Sequence, residues 1–246
     1  MAFNVAQTQA TVEKLNSGVT KMSAKLDLIG PAVEKAVNHW YVPDAIAKPL
    51  IWFANKMIEL GCWIRDKVVE CLKGAAAPVM FYLDAQEWEG PQIRGKVSGV
   101  AGNVAGESLK APLSWTGDGA TAYVGAVKGQ PIAATQIETS SDKLATALTL
   151  CAVAGAAFYL ALLAVLIKAI VIMIAAAAAA ASVVFSWAGL LAAVGEAVSD
   201  AGIITGLVVA LVGVLTAQAG QMAVAKGEAN DNSAFPQGGK WPSATV

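Results

Sequence analysis

Three features of the 246-residue chain predict an all-α fold. Apolar residues recur at steps of three and four through much of the first 148 positions, the repeat of amphipathic helices. A stretch of 33 residues, 156–188, contains neither Gly nor Pro. Within it lie seven consecutive alanines, 175–181, and alanine is the strongest helix former. The expected architecture is a set of long helical hairpins, then a highly apolar helical hairpin, then a disordered tail. The boundaries are 1–90 for N-terminal amphipathic helices, 91–148 for a hairpin, 149–226 for the apolar hairpin and 227–246 for the tail.

The first helix is expected from about Asn4 to Ile29. Val5, Thr8, Val12, Leu15, Val19, Met22, Leu26 and Ile29 alternate three and four, and Pro31 is expected to break the helix. A second helix is expected from Asp44 to about Lys73, with Ile46, Leu50, Phe53, Met57, Leu60, Ile64 and Val68 as its stripe. Asp44 reads as its N-cap, and Gly74 with Pro78 as its stop. Trp40, Trp52 and Trp63 are assigned to core packing around it. Gly90-Pro91 marks the next boundary. Beyond it, Gly95, Gly99, Gly102 and Gly106 run beside Ile93, Val97, Val100 and Val104. Each glycine costs a helix about 1 kcal/mol against alanine. The regular row is therefore expected to permit close approach of a second helix, making this the first arm of a tight hairpin.

The turn of that hairpin is expected at 111–120. Gly117 supplies backbone freedom, and Trp115 lays a large apolar plate over the end of the helix pair. Ala120, Tyr123, Val127, Gln130, Ala134, Ile137, Ser141, Leu144 and Leu148 then step by three and four as one packing seam, with Pro131 beside it as a kink. The string formed by Trp115, Gly117, Ala120, Tyr123, Val127 and Gln130 resembles the core of the WXG family, helical-hairpin substrates of type VII (ESX) secretion in actinobacteria. The resemblance covers about 91–148. With the apolar region behind it, the chain is similar to the larger ESX-associated, Esp-like members in mycobacteria. The resemblance implies a non-enzymatic, secreted or envelope-associated helical protein, with Trp115, Gly117, Tyr123 and Gln130 as the export and turn motif. It also implies a Y-x-x-x-D/E signal, which this chain lacks: Tyr41, Tyr82, Tyr123 and Tyr159 have no acid four residues on. A WXG-type helical partner or secretion chaperone is expected to supply it.

Composition sharpens the division. The chain is 56% hydrophobic and 14% charged, against about 45–50% and about 25% in ordinary globular chains. The imbalance is local. Residues 1–143 carry 14 basic and 14 acidic side chains, whereas 144–225 carry three charges: Lys168, Glu196 and Asp200. The runs 148–167 and 169–193 each reach the roughly 20 residues that span a bilayer. A turn is expected through 195–202, with a return helix to about Lys226. Such a hairpin needs cover from sister subunits in a homo-oligomer, or from lipid. In the second case the chain is an integral membrane anchor or pore. Lys168, Glu196 and Asp200 are the candidate pore or interface residues, because a charge at a bilayer centre costs about 2.5–3.5 kcal/mol.

Other classes are disfavoured. A net charge of −1 with no basic block lacks the footprint of a nucleic-acid binder. One histidine, His39, rules out two-His zinc helices, and no other metal or cofactor is expected. Cys62, Cys71 and Cys151 show no CxxC spacing; the first two lie about 13 Å apart on opposite faces of one helix and cannot pair. No GxSxG, P-loop or Rossmann fingerprint occurs, and no catalytic activity is expected. No secretory signal of the usual kind opens the sequence.

Overall fold

The computed structural model describes residues 3–38, 42–181, 187–230, 233–235 and 238–243. These are helical throughout, without strands, as the periodicity predicts. Helix α1 spans Val5–Val37, α2 Asp44–Leu72, α3 Ala77–Glu89, α4 Lys96–Asn103, α5 Ala111–Ser114, α6 Asp118–Val127, α7 Gly129–Ala181 and α8 Trp187–Ala229. A π-helical turn, Pro91–Gly95, and a 3-10 turn, Gly106–Ser108, flank α4. His39, Trp40 and Tyr41, to which the sequence reading assigned roles, lie outside the described residues.

The chain forms two compact units, neither of them continuous in sequence. One is Met1–Pro78 with Ala154–Gly213, the other Val79–Val153 with Val214–Val246. The first is built on α1 and α2, each burying one stripe. In α1 the Asn4 side chain caps the start by accepting from the Gln7 amide at 2.9 Å. The buried residues Thr8, Thr11, Leu15, Gly18, Met22, Leu26 and Ile29 continue to Val33 and Ala36. Pro31 therefore does not end the helix. It lies on the exposed side, as does Asp27, whose carbonyl would have bonded the missing amide and is left to water.

In α2, Leu50, Phe53, Met57, Ile64 and Val68 are buried as the stripe requires. Asp44 is the first helical residue, one place inside the expected cap, and pairs with Lys48 at 3.2 Å. Trp52 is 48% exposed, because it sits one residue off the stripe beside Phe53, whereas Trp63 packs on the core.

The α1–α2 hairpin lies along the apolar part of α7. Gly61 of α2 meets Leu26 and Met173, the Cys71 carbonyl accepts from the Tyr159 hydroxyl at 2.8 Å, and Pro78 abuts Gly155. The rising numbers on α2 meet falling numbers on α7, so these two helices run antiparallel. Glycines mark the closest approaches. A Cβ on Gly18 would lie 2.7 Å from Leu166 Cδ2, and one on Gly155 would lie 2.5 Å from Pro78 Cγ. Phe158, Leu162, Leu166, Ala169 and Met173 of α7 join the α1–α2 stripes in one core, with Ala197 and Ile204 of α8.

The expected turn at 195–202 is a correction: those residues are inside α8, Trp187–Ala229. Gly195 and Gly202 are tolerated within a helix, and the polar residues read as a loop have a partner across the bundle, described below. The expected long helix over 91–110 is also corrected. Only Lys96–Asn103 is α-helical, none of its residues is buried, and a Cβ on Gly99, Gly102 or Gly106 would meet nothing within 4 Å. The glycine row there is no packing seam. Helix α3 has no counterpart in the sequence reading.

The second unit packs the predicted seam. Ala120, Val127, Ala134, Ser141 and Leu148 are buried, and Tyr123, Gln130, Ile137 and Leu144 half-buried. The helix is interrupted at Lys128, next to Val127, whose carbonyl loses its amide partner because Pro131 has none. Arg94 holds Asp142 through two guanidinium nitrogens and Glu138 at 3.2 Å. Lys143 pairs with Glu228 at 2.5 Å near the end of α8.

Candidate functional site

Two constellations draw together the residues singled out by sequence. The first is the Trp-x-Gly turn. Its backbone is set by Gly117, with φ 97° and ψ −173°, a conformation that side chains disfavour. The chain thus reverses from α5 into α6, and the Gly117 carbonyl accepts from the Thr121 amide at 3.1 Å. The Trp115 ring folds onto the first turns of α6. It lies 5.9 Å from the Tyr123 ring at 48°, and a Cβ on Gly119 would approach its Cζ2 to 3.0 Å. Trp115 remains 46% exposed. Trp115, Gly117 and Tyr123 are therefore brought together. Gln130 is not part of this group. Its side-chain amide donates to the Pro242 carbonyl at 2.9 Å, and Gly129 packs on the Pro242 ring. Ala234 and Pro242 of the C-terminal segment are buried.

The second constellation unites the three charges of the apolar half. Lys168 Nζ of α7 lies 2.5 Å from Glu196 Oε2 and 3.0 Å from Asp200 Oδ1. Glu196 and Asp200 are one helical turn apart on α8, so both reach the same ammonium. Their environments differ sharply. The Glu196 side chain is 54% exposed, while Asp200 is completely buried, with Oδ2 lacking a hydrogen-bond partner among the described residues. Removing such a carboxylate from water costs several kcal/mol, which the Lys168 contact offsets. The charges thus pin α8 to α7 in one register.

No family model, curated protein or solved structure matches the chain.

Two helical segments, Asp118–Ala178 and Leu191–Ala229, are long and apolar enough to cross a membrane. They are covered unequally: the most apolar window of the first is 33% buried, that of the second 11%. The difference is the α1–α2 hairpin, a cover from within the chain that hydropathy could not reveal. That hairpin is amphipathic. Between its contacts at Gly18 and Leu26 on α1, and Gly61 and Cys71 on α2, it carries Lys21, Lys25, Arg65, Asp66, Lys67 and Glu70. These charged side chains accompany α7 from Tyr159 to Met173, about 21 Å along the middle of its apolar stretch.

Cys62, Cys71 and Cys151 are free thiols. Burial, and then the neighbouring Glu70, push the Cys71 thiol up, away from the thiolate that a nucleophile requires. Among the described residues no group of His, Cys, Asp and Glu is arranged to hold a metal.

Proposed function

We propose that the chain is a non-enzymatic helical assembly protein, exported in the manner of type VII secretion substrates, whose apolar helices are covered by its own α1–α2 hairpin and by further copies of itself. The observation that carries the self-associating part is the charged hairpin laid against α7. A bilayer around residues 159–173 would have to solvate Lys21, Lys25 and the Arg65–Asp66 and Lys67–Glu70 ion pairs in hydrocarbon, where charge is costly. Breaking the hairpin away would instead expose Phe53, Met57, Ile64 and the rest of the α2 stripe. Both costs are avoided when protein covers the outer surface of α7. The ion pairs of Lys168 also favour this reading, since a pore-lining lysine would face water and these carboxylates hold it at a helix–helix contact.

The export part rests on the half-exposed Trp115 ring beside Gly117 and Tyr123. An exposed indole held by a rigid turn suits recognition by a partner helix, which would also supply the acidic signal absent here. Replacing Trp115 by Ala is expected to abolish secretion and leave the helical content unchanged; unaltered secretion would refute this part.

A second reading, an integral membrane anchor or pore, is favoured by one observation. Helix α8 leaves Leu191, Val198, Ile203, Val209 and Val212 exposed around much of its circumference. Expression without detergent, followed by light scattering, separates the two. A soluble oligomer of defined mass is expected. Recovery only in a carbonate-resistant membrane fraction would overturn the assembly reading in favour of the second.

A further inference from the structure

Between Ala85 and Ala120 no residue of the chain is buried. This stretch runs from the last turn of α3 through the π-helical turn, α4, the 3-10 turn and α5 to the Trp-x-Gly turn. Outside its short helices, the backbone hydrogen bonds join residues only three to five apart. Side chains tie it to other elements near its two ends. Arg94 holds Asp142 and Glu138, and Trp115 lies on Tyr123. Among the described residues, no side-chain hydrogen bond or ion pair anchors 95–114 elsewhere. The least supported part is 104–114. Ala105 and Leu109 are already extended, at ψ 142° and 121°, on either side of the 3-10 turn Gly106–Ser108. Leu113 is 84% exposed. Opening a segment costs the contacts and hydrogen bonds that it surrenders, so this one opens at much lower free energy than the core helices. Residues 205–224 also lack burial, but they belong to one unbroken helix whose backbone groups are paired.

The covalent link through 104–114 is not what holds the helices together. Within the first unit, Phe53, Met57 and Ile64 of α2 share one core with Leu162, Leu166 and Met173 of α7. The open segment joins these partners in sequence and adds no buried residue to them. We infer that 104–114 is a processing site, at which an endopeptidase cuts the folded chain into two pieces that stay bound to each other. The step is hydrolysis. The peptide C–N bond breaks, and water supplies hydroxyl to the carbonyl carbon and a proton to the nitrogen. One piece ends in a new carboxylate and the other begins with a new amine. Exposed, weakly held connections of this kind are where proteases enter folded proteins, because their active sites take an extended strand. The packing of α1 and α2 on α7 is left whole, whatever covers the apolar helices from outside.

The test uses the full-length chain in a mild non-ionic detergent, which keeps it dispersed whether lipid or protein is the natural cover. The probe is a glutamate-specific endopeptidase at low ratio. Glu107 lies in the open segment, whereas every other glutamate of the chain lies within an α-helix. The first cut, read by intact mass, is expected after Glu107, and E107Q should lose those first products. The fragments 1–107 and 108–246 should separate on a denaturing gel, yet co-elute at the volume of the uncut chain in gel filtration. A first cut at a glutamate within a helix would overturn the inference by moving the weakest point elsewhere. Fragments that part without denaturant would overturn it as well, by showing that the connection itself holds the core together.

Discussion

Lys168 is predicted to contribute to stability almost entirely through Asp200 and hardly at all through Glu196, although Glu196 is the nearer partner. The reason is burial. Asp200 has no access to water, and its Oδ1 depends on an ammonium 3.0 Å away. Removing one member of a buried pair costs about 3–5 kcal/mol, because an uncompensated charge is left behind. The Lys168 side chain is 46% exposed, so water screens part of the interaction and Lys168→Met is expected to lose only a part of that cost. Glu196, more than half exposed, belongs with surface pairs worth about 0–1 kcal/mol.

A double-mutant cycle resolves the two terms. Urea unfolding followed by far-UV circular dichroism at neutral pH gives free energies for K168M, D200N, E196Q and the two double variants. The 168–200 coupling is expected to exceed the 168–196 coupling clearly, because only Asp200 is shut off from water. K168M/D200N should be more stable than K168M, since the second change removes the stranded charge. Equal couplings, or a K168M chain as stable as the parent, would refute the assignment of Asp200 as the buried partner. The cycle also bears on the membrane question, since a lysine facing a water-filled pore would show neither coupling.

Glycine substitutions should separate by sign. Gly155→Ala drives a Cβ to 2.5 Å from the stiff Pro78 ring and is expected to cost about 1–3 kcal/mol. Gly99→Ala and Gly102→Ala, on an open helix, should each stabilise by about 0.4–1 kcal/mol in the same urea assay. At the turn, Gly117→Ala forces a side chain to φ 97° and should cost about 1–3 kcal/mol. Trp115→Ala should cost about 0.5–1.5 kcal/mol through the lost Tyr123 contact. Because burial raises the Cys71 thiol, less of it is thiolate at pH 8 than in an unhindered cysteine. Alkylation of Cys71, followed by peptide mass spectrometry, should therefore accelerate on unfolding in urea; an unchanged rate would contradict its placement.

Helical periodicity carried the fold well wherever one face meets a core. The α1 and α2 stripes, and the seam from Ala120 to Leu148, are buried much as their spacing demands. Local punctuation was less informative. Pro31 was read as a stop, yet a proline whose orphaned carbonyl faces water is tolerated inside a helix. The 195–202 segment was read as a turn because Gly195, Glu196, Ser199, Asp200 and Gly202 cluster there. Two of these residues are polar because they answer a lysine 28 and 32 positions earlier, a relation that no local window contains. The glycine row failed for a related reason. Spacing can show that small residues are aligned, but not whether another helix stands opposite them. Close approach occurs instead at Gly18, Gly61 and Gly155, and nothing in their spacing distinguishes them. Of the candidate turn motif, Trp115, Gly117 and Tyr123 were legible because they are local. Gln130 sits on the seam as its spacing demands, but its partner, the Pro242 carbonyl, lies 112 residues away and no local window contains it.

Hydropathy treats α7 as one uniform apolar rod, but its circumference is divided among different partners. One side meets α1 and α2, which carry charges on their outer faces. Another meets α8 through Lys168 and Asp200. What is left is an exposed face running from Ala157 to Ala178, apolar except for Lys168. The apolar excess of 144–225, uniform in composition, is thus met in part by the chain's own helices.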